Sequence, residues 1–451
     1  MSSYDPKSAR LLSFAEAATA FRDGTDTPRD YLERCLATID AREPDVKAFT
    51  AFNLDGARGA ADAATARYRD GRPLSPVDGM PVAVKDVFDT HDMPTTHNSD
   101  LFRGQQTAWD AACPYFFRRG GAAIVGKTVT TEFAFGTPGP ARNPWDANRT
   151  PGGSSSGSGA AVGASMVPVA VGTQVRGSVL RPAAYCGTYA LKPSKGAIST
   201  MGGFPSAPSM NCVGVLAGTM PDMWTTAWWL SQQGSDAGFP SIAGPAALPA
   251  ARRPARLIRL ETAGWAATDA ATRAAFEDAC AAMAAAGVDI VGRLDDPEVE
   301  ALEAMLAELR DVIDFMLTYE ARWPLMMYSD AAHDKLGERV GGRAKLAAEA
   351  SPDRYADCLD WAWKARAQWK AFKGRADGFV TLNQTGPAPT GMPVGNTVYG
   401  EPSSLLGVPA MNLPVMAVDG MPVGLQLLGF YRGDADMTAL GRWMAQTLLG
   451  D

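Results

Sequence analysis

Side chains that could perform nucleophilic chemistry lie in three separate stretches of this 451-residue sequence. A Gly/Ser-rich loop at 152–159 contains serines 154–156, a polar turn at 173–178 ends in Ser178, and Lys85 follows the apolar stretch 80–84. Serine is a weak nucleophile until a base takes its proton, and a lysine can be that base when burial lowers its pKa. A second serine can relay the proton because a hydroxyl donates and accepts at once. These residue types indicate a serine nucleophile activated by lysine.

The sequence between these residues predicts the elements that position them. A small-residue helix at about 159–166 and a buried strand at 167–172 separate the two serine-bearing turns, and a strand at 80–84 ends at Lys85. This order allows the two turns to meet in space. Backbone amides from Val175 to Ser178 could then hold a developing oxyanion. We expect the Gly/Ser loop to act through its backbone and hydroxyls rather than as part of a packed core.

Other motif-based chemistries fit poorly. The loop at 152–159 has neither the P-loop order nor the dinucleotide-binding order of glycines, and Gly157-Ser158-Gly159 is not a nucleophile elbow. The sequence has three histidines, and none is spaced for a zinc site. We therefore expect no metal site and no histidine-dependent serine triad.

Composition limits the partners of the chain. The net charge is -7 and apolar residues make up 46% of the sequence, which argues against nucleic acid or an anionic membrane as the main partner. The first residues lack an apolar signal segment, so we expect a cytoplasmic protein. The six cysteines are scattered, without a CxxC pair, which is typical of reduced, buried thiols.

Strands and helices alternate from end to end, which predicts one α/β domain around a mixed, mostly parallel sheet flanked by helices. Later strands are expected at 257–260, 288–291, 379–382 and 425–428. Later helices are expected at 221–230, 269–286, 297–319, 335–348, 353–372 and 434–449. The strand–helix–strand spacing over 257–291 favours parallel pairing of its two strands.

The sequence also resembles the amidase signature family, in motifs spread over roughly residues 60–430. The signature block is GGSSSGS at 152–158, VPVAVGTQVRGSVLRPAAYCG at 167–187 and LKP at 191–193. The strand end VKD at 84–86 resembles the family's catalytic-lysine motif, and GVPA at 407–410 with GLQ at 424–426 resembles its C-terminal pattern. The resemblance implies a single amidase-signature domain over 1–451, with a signature core at about 60–215 and a variable helical substrate-pocket region at about 230–375.

The resemblance implies a role for each reactive residue. Ser178 would be the nucleophile, Lys85 the general base, and Ser154 the relay, because it precedes Ser178 by the family's 24-residue spacing and would follow a cis peptide bond. The oxyanion-hole amides would be those of Val175, Arg176, Gly177 and Ser178. The implied reaction is hydrolysis of a small carboxamide through an acyl-enzyme, with release of ammonia or an amine. It needs no metal or organic cofactor, and a homodimer is common among such proteins.

Three positions depart from the family pattern. Arg176 stands where the nucleophile turn usually has glycine, Asn211 where an aspartate is usual, and Val129 where an asparagine often follows a Lys-Thr pair. An arginine at 176 would clash if the turn required φ > 0, or it could direct a cation towards the substrate.

Arg181 resembles an arginine that holds a substrate carboxylate in the malonamidase branch of the family. A guanidinium can bind a carboxylate through two parallel hydrogen bonds, so we predict a preference for small amides with an anionic or polar group. The predicted substrate-binding residues are Arg181, Arg176, Gln174 and Ser155. The alternative for Arg181 is a structural role in which it binds loop carbonyls.

Two other functions remain open at this stage. One is the amidase-like subunit of a glutamine-dependent tRNA amidotransferase, which would need partner subunits. The other is a catalytically degenerate binding protein, in which Arg176 obstructs the oxyanion hole.

Overall fold

The computed structural model describes residues 3–450, and over that range eleven strands form one mixed sheet flanked by fifteen α-helices. The strands are β1 (Phe49–Phe52), β2 (Pro81–Lys85), β3 (Ala123–Thr128), β4 (Val169–Gln174), β5 (Tyr189–Lys192), β6 (Cys212–Ala217), β7 (Arg256–Arg259), β8 (Asp289–Val291), β9 (Gly378–Leu382), β10 (Ala410–Val418) and β11 (Met421–Leu428). The helices are α1 (Phe14–Arg22), α2 (Pro28–Val46), α3 (Leu54–Arg69), α4 (Ala112–Arg119), α5 (Ser156–Gly163), α6 (Leu180–Cys186), α7 (Met220–Gln233), α8 (Ala270–Ala285), α9 (Pro297–Ala307), α10 (Leu309–Glu320), α11 (Arg322–Ala332), α12 (Glu338–Ala348), α13 (Pro352–Ala371), α14 (Glu401–Leu405) and α15 (Asp434–Leu449). None of these helices is long and apolar enough to cross a membrane.

The sheet order is β1-β3-β2-β4-β6-β5-β10-β11-β9-β7-β8. The predicted α/β class and mixed sheet are confirmed, and β7 and β8 pair in parallel as the spacing indicated. The expectation of a mostly parallel sheet is wrong, since six of the ten pairings are antiparallel. The reason is the centre of the sheet, where β5, β6 and the β10–β11 hairpin pair antiparallel with their neighbours.

Several of these central elements were not predicted. Four of them lie in or near the signature block or the C-terminal motif, namely the strands β5, β6 and β10 and the helix α6. β10 contains Pro414, which lowers the strand signal, and its register with β11 shifts between Leu413 and Met416. The predicted helix at 297–319 is two helices, α9 and α10, which meet at Glu308.

Alternate side chains of the central strands pack on opposite faces of the sheet. Val82 and Val84 of β2 belong to one buried apolar cluster, whereas Ala83 belongs to another. The alanine face also holds Ala170 of β4, and α5 packs against β4 on this side. Small residues on both partners let the helix approach the sheet closely.

The Gly/Ser loop and α5 are packed core, which corrects the expectation that they would act only through backbone and hydroxyls. Every residue from 150 to 164 is buried. A Cβ at Gly157 would lie 2.2 Å from the carbonyl oxygen of Ala48, and one at Gly163 would lie 2.5 Å from that of Cys186. These two glycines are therefore required by close packing against neighbouring backbone.

Candidate active site

Lys85 lies at the end of β2 with its amine fully enclosed. Its Nζ is 2.7 Å from the Ser154 Oγ and 2.9 Å from the Thr173 Oγ1, and no carboxylate of the described residues forms an ion pair with it. Burial lowers the pKa of Lys85 well below its ordinary range, because the charged amine loses its hydration. The side chain is thus suited to accept a proton from a hydroxyl.

The strand register explains why Lys85 meets these hydroxyls. β2 runs parallel to β4, with Val84 opposite Val171, so the ends of the two strands lie side by side. The nearby carboxylate of Asp86 is occupied by a different amine, since Lys127 Nζ lies 2.9 Å from it and both side chains are fully buried. Among the described residues, Lys85 is therefore left without a counter-ion.

Ser154 follows a cis peptide bond from Gly153, as predicted from the family resemblance. Its carbonyl accepts a hydrogen bond from the Thr131 amide at 3.2 Å. The next amide, that of Ser155, donates to the carbonyl of Ser178 at 3.1 Å. This bond joins the Gly/Ser loop directly to the turn that carries Ser178.

The turn between β4 and α6 presents a hydroxyl and free amides. Ser178 is half-buried, and its hydroxyl forms no hydrogen bond within residues 3–450. In the same part of the chain, the amides of 175–178 donate to no protein acceptor. Gly177 takes the left-handed conformation, with φ 81°, whereas Arg176 lies outside it. Arginine at position 176 therefore fits the turn without backbone clash, and the amides of 175–178 stay unpaired within residues 3–450.

A cavity of about 600 Å³ opens over these groups. Ser154, Thr173 and Ser178 line it on the side of the sheet. Helix α12 contributes five further lining residues, Glu338, Arg339, Gly342, Arg343 and Leu346. The structure thus gathers the predicted nucleophile and relay in one cavity, with Lys85 enclosed directly behind Ser154.

Gln174 and Ser155 do not line this cavity, which corrects their prediction as substrate-binding residues. The Oε1 of Gln174 accepts hydrogen bonds from the amides of Val179 and Leu180, both at 3.0 Å. The Ser155 hydroxyl donates to the Thr173 carbonyl at 3.4 Å. Gln174 therefore shapes the nucleophile turn from inside the protein, where it binds the two amides that open α6.

Arg176 reaches the cavity, but its charge is already compensated. Its guanidinium binds Glu401 at 2.7 Å and Thr397 at 3.0 Å, and it also forms an ion pair with Asp314. Although burial raises the pKa of Glu401, Arg176, Thr397 and Arg310 together hold it below its ordinary range. Arg176 thus anchors the turn to residues more than 130 positions away, rather than offering an unpaired cation to a substrate.

Replacing Arg176 by methionine is expected to lower the free energy of unfolding by about 2–3 kcal/mol, because Glu401 would stay buried without its nearest cation. Urea denaturation measures this. Arg310→Met is the matched control, since Arg310 lies 3.4 Å from the same carboxylate but is half exposed, and it should cost less than about 1 kcal/mol. Equal losses in both variants would contradict the special role of Arg176.

Arg181 is buried and binds backbone carbonyls, as its structural alternative predicted. Nε donates to Val394 at 2.6 Å, Nη1 to Arg176 at 3.1 Å and to Asn396 at 3.4 Å, and Nη2 donates to Gly153. Burial lowers the pKa of this guanidinium to about 10. Four of its five N–H groups are thus used, which leaves little for a substrate carboxylate.

Arg343 is a cavity residue that was not predicted from the sequence. Its Nη1 donates to Thr318 Oγ1 at 2.7 Å, and its guanidinium lies 5.6 Å from the ring centre of Phe135. No carboxylate of residues 3–450 lies within ion-pair distance, and burial lowers its pKa. The i, i+4 spacing from Arg339 within a predicted helix was the available signal, because it places both guanidinia on one helix face.

None of the three histidines lines the cavity. His97 is buried among aromatic rings, and burial lowers its pKa to about 3. His91 contacts Asp110 at 3.0 Å, and these two with Asp92 form a group of possible metal-ligand atoms. Arg118 already binds both carboxylates of that group, at 2.7 and 2.9 Å.

Comparison with known proteins identifies similar sequences and structures. A family model described as Amidase matches residues 30–370. The A subunit of the glutamyl-tRNA(Gln) amidotransferase from Chloroflexus aggregans is 31% identical in an alignment of 473 residues. The alignment covers 95% of this chain and 95% of the relative. A structure described as "Crystal structure of amidase" is 27% identical with a TM-score of 0.84, covering 96% of this chain and 99% of the other. A chain from a vestigial complex related to an s-triazine catabolic enzyme is 25% identical with a TM-score of 0.85, covering 97% and 98%.

The fold and these similarities define an amidase-type enzyme. The chain belongs to the amidase signature family, as the family model and the 31% identical relative show.

Proposed function

We propose that this enzyme cleaves the C–N bond of a small carboxamide through an acyl-enzyme on Ser178, with Ser154 as proton relay and Lys85 as general base. The observation that carries the proposal is the enclosed, unpaired Lys85 amine, which lies 2.7 Å from Ser154 at the base of the cavity that Ser178 lines. A neutral amine in this place can take the proton that makes a serine hydroxyl nucleophilic.

In the proposed reaction, Ser178 Oγ attacks the amide carbonyl carbon while its proton passes to Ser154, whose own proton passes to Lys85. The free amides of 175–178 stabilise the oxyanion. The C–N bond then breaks, and the proton returns through the relay to the nitrogen, so that ammonia or an amine leaves. Water then attacks the Ser178 ester while one of its protons passes through Ser154 to Lys85. The bond between the acyl carbon and Ser178 Oγ breaks, the proton returns through the relay to Ser178, and the carboxylic acid leaves.

Arg343 supports a substrate class for this reaction. Four arginines line the cavity. Arg176 is paired with carboxylates and Arg181 is largely saturated by backbone carbonyls. Arg339 and Arg343, by contrast, have no carboxylate partner in the described chain, and of these two Arg343 is the less exposed. A half-buried cation without a counter-ion favours an anionic ligand. The proposed substrate is therefore a carboxamide that also carries a carboxylate, bound by Arg343 rather than by the predicted Arg181.

A second candidate is the amidotransferase component that the sequence left open as an alternative. The curated relative is the A subunit of a glutamyl-tRNA(Gln) amidotransferase over nearly its whole length, and that name favours this candidate over a free-standing amidase. The proposed chemistry at Ser178 is the same in both cases. They differ in whether ammonia is released by this chain alone or only together with partner subunits.

Ammonia release by the purified chain from malonamate, glutamine, butyramide and benzamide separates the two candidates. Steady turnover of malonamate or glutamine, the two amides that carry a carboxylate, by the chain alone supports the free-standing hydrolase. Glutamine turnover that is seen only in a preparation in which co-purifying subunits are kept with the chain supports the second candidate. Absence of ammonia in every condition, with no acylation of Ser178 by a reactive ester, would reject the proposed chemistry.

Replacing Arg343 by methionine is expected to lower kcat/KM for malonamate or glutamine by about 10–100-fold. This loss corresponds to the stabilisation that one charge-assisted hydrogen bond gives. Butyramide turnover should change less than about threefold, because a neutral amide offers no carboxylate. Kinetics with both substrates measure the difference, and Arg343→Lys should restore part of it. An equal loss for charged and neutral amides would assign Arg343 to structure instead.

A further inference from the structure

A second cavity, of about 420 Å³, shares no lining residue with the active-site cavity. We call it the α13 pocket. It lies between α13, the segment 406–408 that follows α14, and residues 430–431 that follow β11. Its volume falls within the usual range of small-molecule sites, about 300–1,000 Å³.

The α13 pocket carries an excess of positive charge. Its lining includes four basic residues, Lys195, Arg366, Lys370 and Lys373, and no aspartate or glutamate. Lys195 is paired with Asp236 at 3.3 Å, and Arg366 donates to the Leu405 carbonyl at 2.8 Å. The exposed amines of Lys370 and Lys373 form no ion pair within residues 3–450. In a chain of net charge -7, this concentration of unpaired cations favours an anionic ligand.

Aromatic rings line the same pocket. Trp363, Phe239 and Tyr431 are 68%, 36% and 41% exposed, and Trp369 lies buried among them with its Nε1 donating to the Gly429 carbonyl at 3.1 Å. Exposed rings in a concave site offer flat apolar faces on which a planar ligand can stack.

The spacing along α13 brings the two features together. Trp363, Arg366, Lys370 and Lys373 follow one another at intervals of three, four and three residues, so they form one stripe from the helix across its C-terminal end. Lys370 lies about two helical turns, or about 10 Å, beyond Trp363 along α13, and Lys373 follows just past the end of the helix. A ring that stacks on Trp363 therefore has both amines further along the same stripe.

We propose that the α13 pocket binds a planar aromatic ligand carrying a phosphate or carboxylate, with the ring against Trp363 and the anion between Lys370 and Lys373. A nucleoside monophosphate has this chemistry and a size that suits the cavity. The site is independent of amide cleavage, because none of its residues lines the active-site cavity.

Titration of the intact protein with AMP, followed by tryptophan fluorescence and by calorimetry, tests the site. The comparison ligands are adenosine, inorganic phosphate and 1-naphthoate. AMP or 1-naphthoate should bind at least about tenfold more tightly than adenosine or phosphate alone, because ring and anion are both engaged. AMP binding indicates a phosphate ligand, whereas 1-naphthoate binding without AMP binding indicates an aromatic carboxylate.

Variants make the test specific. Lys370→Ala/Lys373→Ala should weaken binding about tenfold, whereas Lys7→Ala/Lys335→Ala, which removes the same charge elsewhere, should not. Trp363→Phe should remove the fluorescence change, whereas Trp323→Phe, equally exposed on α11, should keep it. Ammonia release should be unchanged in all four. Affinities of both AMP and 1-naphthoate no higher than that of adenosine, or full binding by the Lys370→Ala/Lys373→Ala variant, would overturn the proposal.

Discussion

Replacing Ser178 by alanine is expected to lower the rate of ammonia release by at least about 10⁴-fold, because the acyl-enzyme can no longer form. The Ser178 hydroxyl makes no hydrogen bond to the described protein, so the free energy of unfolding should change by less than about 0.5 kcal/mol. Single-turnover kinetics and urea denaturation of the same preparation measure both quantities.

Ser206→Ala is the control for this variant, since Ser206 lines the same cavity as Ser154 and Ser178. It should retain ammonia release within about tenfold, because it takes no part in the proposed proton route. Full turnover by Ser178→Ala would show that another group attacks the amide, and the proposed acyl-enzyme would have to be abandoned.

Replacing Lys85 by methionine is expected to lower turnover by about 10³-fold or more, because general-base assistance is lost while volume and burial are kept. In the wild-type enzyme, turnover should fall on the acidic side as Lys85 takes up a proton. Since burial lowers the pKa of Lys85, this acid limb lies well below the ordinary lysine range. A pH–rate profile of the wild type measures it.

The same residue links stability to pH. The folded-state pKa of Lys85 is lower than the unfolded one, so between the two values the unfolded chain binds one more proton. The contribution of Lys85 to stability therefore improves as pH rises towards the ordinary lysine value, and it is lost as pH falls. Lys85→Met should show a flatter stability–pH curve and be relatively more stable in acid. Parallel curves for the two proteins would show that Lys85 is charged in the folded enzyme.

The local part of the site was predictable from the sequence. Apolar strand residues followed by Lys85, and a Gly/Ser loop followed by a helix and a strand, fix which side chains stand at adjacent strand ends. The cis bond before Ser154 followed from the family spacing. The strand and turn features depend on neighbouring residues and on pairing between two strands, which composition and periodicity report directly, whereas the cis bond was implied by the family resemblance alone.

The distant part of the site was not predictable in the same way. Arg176 finds its partner in Glu401, 225 positions later, and Arg343 enters the cavity from a helix without a motif. Whether a guanidinium is free or neutralised depends on packing between elements far apart in the chain. Arg176 and Arg181 could therefore be identified from the sequence as candidate cations, but not as cations that protein groups largely satisfy.

The division of the cavity between the sheet and helix α12 bears on how such enzymes diversify. The proposed bond-breaking groups lie at the end of β2, in the loop before α5 and in the turn after β4, whereas Arg343 belongs to a helix that contains no part of the proposed proton route. Mutations accumulating on α12 can alter which amides enter without disturbing the turn at 175–178. Selection can thus retune substrate preference and reactivity separately, and an inherited hydrolytic centre can acquire new metabolic roles through changes on a single helix.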